Sequence, residues 1–347
     1  MGQAGVIEIW HTGAVEMQPL LGTGEYKGAW RSEKRAQKVK SLQKSSSSTV
    51  TLESALADTV PTGLDPRLAR VCDYISRHLD EELSLERLSR VGHLSRFHFH
   101  RLFAAGLGIP LGRFVQLQRL KRASFRLGFE HSLRVLDIAL EAGFDSAEAF
   151  SRAFKRELGL SPSAFRQTPD WVLLHSVMEL IKVPQRGLTG ANMDIKLIEM
   201  PSLSVAWLEH QGNPARVLDT SARFIEWRKQ TGLSPIASSR TFGIPNGDPA
   251  TMPAQDFRFK VAGSINVPVP ANPQGVENGE IAGGRYAVIR HLGSQANMDT
   301  SIYSFFRDWL PHSGENVREA PLFFEYLNFV HQVDECDLIT DIYVPLN

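Results

Sequence analysis

Between residues 65 and 167 the apolar positions recur at intervals of three and four, the spacing of a single helix face. Leu68, Val71, Cys72, Ile75 and Leu79 predict a first amphipathic helix. Ser84 offers an N-cap for a short helix over 85–91, and Ser95 opens another over 95–105 with Phe99, Leu102 and Phe103 turned inward. Phe114, Leu117, Leu120 and Phe125 predict a longer helix over 111–127. A helix running from Ala139 ends at Gly143. Ser146 starts the next, over 146–157, with Phe150, Ala153, Phe154 and Leu158 on one face, Gly159 stops it, and Ser161-Pro162 begins the last. From Met193 onward the pattern changes. Strands are expected over 195–198, 203–209, 285–291, 322–328 and 338–344, with helices over 218–231 and 300–310. This alternation of strand-like and helical patterns suits an α+β domain with an antiparallel sheet.

Both patterned regions repeat internally. Gly92, Ser95, Phe99, Arg101, Phe103, Gly108 and Phe114 recur 51 positions later as Gly143, Ser146, Phe150, Arg152, Phe154, Gly159 and Phe165. In the second region VAWLEHQG at 205–212 returns as YAVIRHLG at 286–293, so His210 matches His291 and Gly212 matches Gly293, and Phe224 then falls on Phe305. The repeated His is read as packing against, or capping, the repeated turn.

Two short helices about a tight turn form a helix-turn-helix, whose second helix can enter a major groove. With GF, DS, FSRAFKR and SPSAFR in the second copy, residues 65–167 resemble the AraC/XylS-type regulator domain. That resemblance implies double-stranded DNA as a partner, read in two successive major grooves by one chain, with base contacts from positions matching Phe97, His100 and Arg101. The outward residues of the first recognition helix are Arg96, Phe97, His98, His100 and Arg101. Arginine can bond guanine with two N–H groups and an aromatic ring can lie against a thymine methyl. The second helix offers Ser146, Ala147, Glu148, Arg152 and Lys155, a sparer set in which Arg152 is the best base reader. Arg119, Lys121, Arg122 and Arg126 on the connecting helix are expected partly in solvent and partly near phosphate. His98 and His100 lie about 200° apart on a helix and suggest no metal site.

The C-terminal region resembles the GyrI-like effector-binding domain through GIPNGDP (243–249), GGRYAV (283–288), WLPHSG (309–314), FFEYLN (323–328) and TDIYVPL (340–346). The strand RFKVAGSINV departs from the acidic or Cys-containing pattern common there. The resemblance implies a small-molecule effector, and in several such domains the residue matching Glu325 faces bound drugs. On a strand Phe323, Glu325 and Leu327 share a face. A carboxylate among apolar walls needs a partner charge, which a lipophilic cation would supply. Tyr286, Trp309 and Trp207 are the other expected walls.

Composition adds a division and some exclusions. The formal net charge is zero, but residues 65–167 hold 17 Lys/Arg against 12 Asp/Glu, while 193–347 hold 12 against 18. A basic part beside an acidic one suits a DNA-binding module joined to a module with another partner. No run approaches the about 18 apolar residues of a membrane span, and the start lacks the features of an export signal. Cys72 and Cys336 lie in different regions and give neither a disulfide framework nor a metal set, so a cytoplasmic protein without cofactors is expected. Residues 1–64, basic and then Ser-rich, read as a disordered tail, and 168–192 as a linker with an apolar piece at 171–181.

The expected architecture is multidomain: an all-α tandem helix-turn-helix DNA-binding domain followed by an α+β pseudo-duplicated antiparallel-sheet domain. The expected function is an effector-responsive transcription regulator, with RNA polymerase as a further partner. Two alternatives stay open. One is a small-molecule hydrolase using Glu325 as a base, and the other a protein-recruiting regulator without ligand.

Overall fold

The computed structural model describes residues 64–183, 193–249 and 251–347. The expected tail, Leu64 apart, lies outside the described residues, as does the linker segment 184–192.

Among the described residues, eight α-helices form the first part: α1 Pro66–Arg77, α2 Leu85–Val91, α3 Arg96–Leu107, α4 Leu111–Phe129, α5 Val135–Glu141, α6 Ala147–Leu158, α7 Pro162–Gln167 and α8 Trp171–Met178. Side-chain oxygens of Asp65, Ser84, Ser95, Ser146 and Ser161 accept the free N–H groups that open their helices. The two units pack alike. Phe99, Phe103 and Phe114 meet edge to face at 5.8 and 5.4 Å, and Phe150, Phe154 and Phe165 do so at 5.4 and 5.4 Å. Each such pair adds about 1 kcal/mol to the burial of the rings.

The turns of the two units differ by one residue. From helix cap to the next N-cap the first runs Gly92 to Ser95 and the second Ala142 to Ser146. The hydrogen bonds Leu94 N–H to Ser89 O and Phe144 N–H to Ala139 O correspond, so Gly143 is the structural partner of His93 and not of Gly92. Gly143 has φ +71°, and His93 must take φ +51° at the same place. A side chain costs about 1 kcal/mol there. His93→Gly should therefore stabilise the protein by up to about 1 kcal/mol, read as a raised urea midpoint at unchanged slope.

The apolar piece at 171–181 belongs to the helical core. Trp171 and Leu174 are buried, and the Trp171 ring stacks on Phe129 at 5.3 Å and lies where a Cβ on Gly128 would stand.

The second part holds, among the described residues, eight strands and two principal helices: β1 Ile195–Met200, β2 Leu203–Gln211, α9 Val217–Thr231, β3 Thr241–Asn246, β4 Arg258–Ser264, β5 Glu277–Ile281, β6 Gly284–Leu292, α10 Met298–Ser304, β7 Phe323–Tyr326 and β8 Ile339–Pro345. A π-helical turn, Phe305–Trp309, extends α10. The strands make one antiparallel sheet in the order β1-β6-β8-β7-β3-β4-β2-β5. This order is a palindrome of the two halves about the β3–β7 pair, except that the outer strands are exchanged. β1 of the first half pairs with β6, and β5 of the second pairs with β2.

The exchange forces the sheet to curl. β1 lies at one edge and β2 beside the other, yet only Pro201 and Ser202 join them. Likewise only Ala282 and Gly283 join β5 to β6, and the two links touch: a Cβ on Gly283 would stand 2.7 Å from the Ser202 nitrogen. The curl explains why Val205, Phe242, Tyr286, Phe323 and Tyr343 are buried on the face that carries no helix. α9 and α10 cover the other face. α9 works on two sides: Phe224 and Trp227 pack on the sheet, and Leu218, Ala222 and Ile225 lie against the helical part.

Candidate functional site

Arg96, Phe97, His98, His100 and Arg101 all stand exposed on α3, and Phe97 is 83% accessible. Phe99 and Phe103 on the opposite side are fully buried, so the core fixes which residues project. The Ser95 hydroxyl lies 2.9 Å from His98 Nδ1, which leaves Nε2 as the outward atom. On α6, Glu148, Arg152 and Lys155 are exposed, while Ser146 and Ala147 are partly covered. Ser146 and Glu148 serve the helix start. Ser146 Oγ accepts from Ala149 N–H at 3.1 Å. The Glu148 carboxylate takes hydrogen bonds from its own backbone N–H and the Ser146 hydroxyl, which hold its pKa below the ordinary value. Arg152 and Lys155 remain as the outward cations of the second unit.

Arg119, Lys121, Arg122 and Arg126 of α4 are not near phosphate-facing solvent as expected. Arg119 donates to the carbonyls of Leu79 (2.8 Å), Gly143 (2.9 Å) and Glu81 (2.9 Å), tying the α1–α2 loop and the second turn to α4. Lys121 pairs with Glu335, Arg122 with Asp334 and Arg126 with Glu141. Basic residues on a connecting helix suited phosphate, and only the tertiary fold supplies the partners that claim them.

In the sheet domain Glu325, Phe323, Tyr286 and Trp207 come together on the curled interior. Trp309 does not. It stacks on Phe305 at 5.0 Å in the cluster between sheet and helices, because the two residues lie four apart and share one helix face. Leu327 lies past the end of β7 and is exposed. Glu325 is buried and already paired. Arg240 Nε and Nη2 donate to its two oxygens at 2.6 and 2.7 Å, and the Tyr343 hydroxyl donates to Oε2 at 2.7 Å. The Arg240 guanidinium also lies 5.1 Å from the Phe242 ring centroid, and its side chain is 38% accessible. Burial and the neighbouring carboxylate push the Tyr343 hydroxyl above its usual pKa, so it stays a proton donor. Directly across the β7–β8 pair stands a second buried carboxylate, Asp341, held by Arg290 Nε and Nη2 at 2.7 and 2.7 Å. Two carboxylates face to face repel, and each is neutralised by its own arginine. Arg240, Asp341, Arg290 and Tyr343 were not among the expected site residues. Arg240 sits in a loop far from Glu325 in sequence, and the Tyr343/Asp341 alternation on β8 was the only available signal.

The repeated histidines act as structural bridges. His210 Nδ1 lies 3.0 Å from Thr220 Oγ1, and Nε2 lies 3.0 Å from Asn213 O. His291 makes the same pair with Ser301 Oγ and Ser294 O, each at 2.9 Å. With Nε2–H donating and Nδ1 accepting, the neutral ring is fully satisfied. Burial holds the His291 pKa below 6.5. The unfolded chain therefore takes up this proton at higher pH than the folded one, and the stability is present above that pH and lost as pH falls. Thermal midpoints at about pH 7.5 and about pH 5.5 should differ in that direction, and His291→Gln, which cannot take the proton, should narrow the gap.

The family described as GyrI-like small molecule binding domain matches residues 193–347, and a helix-turn-helix domain family matches residues 88–168. The probable transcriptional regulator YgiV of Escherichia coli (strain K12) is 46% identical over 159 residues, which are 46% of this chain and 99% of that protein. The right origin-binding protein of the same organism is 33% identical over 98 residues, 28% of this chain and 34% of that one. Among solved structures, the DNA-binding domain of AdpA, a global transcriptional factor in complex with a target DNA, is 31% identical and covers 30% of this chain and 92% of that chain, with a TM-score of 0.28. The chain belongs to the transcriptional regulators that join an AraC-type helix-turn-helix domain to a GyrI-like small-molecule-binding domain.

Proposed function

We propose that this regulator reads two successive major grooves with α3 and α6 and responds to a small lipophilic cation at the Glu325 face. The observation that carries the DNA reading is the outward face of α3, where Phe97, His100 and Arg101 project from a core-locked helix. The first unit carries the larger share of sequence discrimination, since α6 commits Ser146 and Glu148 to its own cap. RNA polymerase is a further proposed partner.

For the effector, the supporting feature is a buried carboxylate in an aromatic interior whose partner is an accessible guanidinium. A ligand cation can take the place of Arg240 without leaving the carboxylate uncompensated. The same geometry speaks against Glu325 as a general base, because both of its oxygens are already occupied.

Binding of the full chain to its own upstream DNA at two salt concentrations tests the first reading. Specific binding should weaken with salt, and Arg101→Ala should lower affinity about 5- to 150-fold. Binding indifferent to Arg101 would sink it.

A further inference from the structure

The loop 327–338 joins the two strands that carry the Glu325 site, with Glu325 on β7 and Asp341 and Tyr343 on β8. It is braced as a rigid extension of that hairpin. Asn328 Nδ2 donates to Asp337 O at 2.8 Å, Asn328 Oδ1 accepts from Ile339 N–H at 2.8 Å, and Leu327 N–H donates to Ile339 O at 3.1 Å. Its far tip grips the helical domain. Asp334 pairs with Arg122 at 3.0 Å, Glu335 with Lys121 at 2.5 Å and Asp337 with Arg77 at 3.4 Å. His331 adds a face against Phe129, with Nε2 3.5 Å from Glu130. The gripped helix, α4, is the one that spaces the two recognition helices.

One stiff hairpin thus has the effector-facing charges at its base and the α4-facing charges at its tip. We propose that this acidic loop transmits the state of the Glu325 pair to the DNA-reading domain by tightening or releasing its hold on α4 and α1. The proposal rests on the reading of the Glu325 face as the effector site. Partly exposed ion pairs suit such a role, because they are weak enough to exchange with water and salt when the hairpin shifts. A shift of β7 against β3 would alter the Arg240 contact and would arrive at Asp334 and Glu335 through the braced loop.

Cys336 provides a reporter. Its thiol lies in the grip, 3.7 Å from Ser76 O, and burial pushes its pKa up to about 11. The chain has two cysteines, and the other, Cys72, is buried in the helical core with its thiol pushed up to about 12. Maleimide labelling of the full-length protein, followed by peptide mass spectrometry, reads opening of the loop. Arg122→Met should speed Cys336 labelling about tenfold by breaking the grip directly. Glu325→Gln should speed it about threefold, and so should Tyr343→Phe, a gentler change that keeps the Arg240 pair. Acceleration in Arg122→Met with wild-type rates in both site variants overturns the proposal and makes the loop a static joint. Wild-type rates in Arg122→Met overturn it as well. No ligand enters this test. Whether the Glu325 face takes an effector is decided separately, by titration with tetraphenylphosphonium, so the two failures are distinguishable.

Discussion

Arg240→Met should destabilise the protein by about 2 kcal/mol, and a lipophilic cation should restore much of the loss. Removing one member of a buried pair leaves a charge without compensation, which costs about 3–5 kcal/mol when both groups are fully buried. Arg240 is 38% accessible, so solvent screening lowers that figure. The Tyr343 hydroxyl remains on Glu325 but carries no charge. The double change Arg240→Met/Glu325→Leu should recover most of the stability, since the carboxylate left without its arginine is then gone and Asp341 keeps Arg290. Urea melts of the four proteins give the coupling. In Arg240→Met the interior keeps its aromatic walls and an uncompensated carboxylate, so tetraphenylphosphonium should raise the thermal midpoint more than it does in the wild type, with affinity about tenfold tighter. An equal response of both proteins would show that the cation binds elsewhere.

Arg119→Met should have the larger effect, about 3 kcal/mol. Three carbonyls receive charge-assisted bonds from this one guanidinium, and they belong to the α1–α2 loop and to the second unit's turn. Each unmet carbonyl in a partly buried place costs about 1–3 kcal/mol, offset where water reaches it, as at Glu81. Arg119→Lys should rescue little, because a single ammonium cannot span a fork of three acceptors. Gly143→Ala should fail for two reasons at once. Its φ of +71° disfavours any side chain, and the added Cβ would stand 2.7 Å from Leu79 O and 2.7 Å from the Arg119 guanidinium carbon. Denaturant midpoints measure both. A loss under about 1 kcal/mol in Arg119→Met would show that water replaces the guanidinium at all three carbonyls.

The helical half was legible because each element announces itself locally. Serine caps, apolar spacing and glycine stops fall where helices start, face and end, and the duplicated phenylalanines tie the units together. What the pattern missed there was a one-residue difference in turn length. Gly92 and Gly143 align by letter, but the left-handed backbone position falls on His93 in the first unit. In the sheet half, strands with alternating apolar residues were visible, whereas β5, Glu277–Ile281, is polar along most of its length and is held by pairing with β2. Glu325 was legible as a carboxylate among aromatic residues. Its partner was not, since Arg240 lies in an irregular loop and reaches the site only through the β3–β7 pair at the centre of the sheet. Trp309 misled because it was read as a cleft wall, whereas its i,i+4 spacing from Phe305 puts it on the helix face that packs against the sheet. Nor can charge on one helix tell whether phosphate or a distant acidic loop will meet Lys121 and Arg122.

The exchanged outer strands bear on ancestry. Each half of the sheet domain lends its first strand to the other and borrows one in return, so neither could close its own hydrogen-bond ladder alone. A chain of half this length would complete its sheet only by meeting a second copy and trading strands with it. The present domain has the form such a strand-traded homodimer would take once two genes had fused end to end. Fusion then freed the halves to diverge. Trp227 still stacks on Phe224 as Trp309 does on Phe305, whereas Lys260 now stands where the other half has Asp341. An interior once symmetric could in this way acquire a carboxylate pair on one side alone.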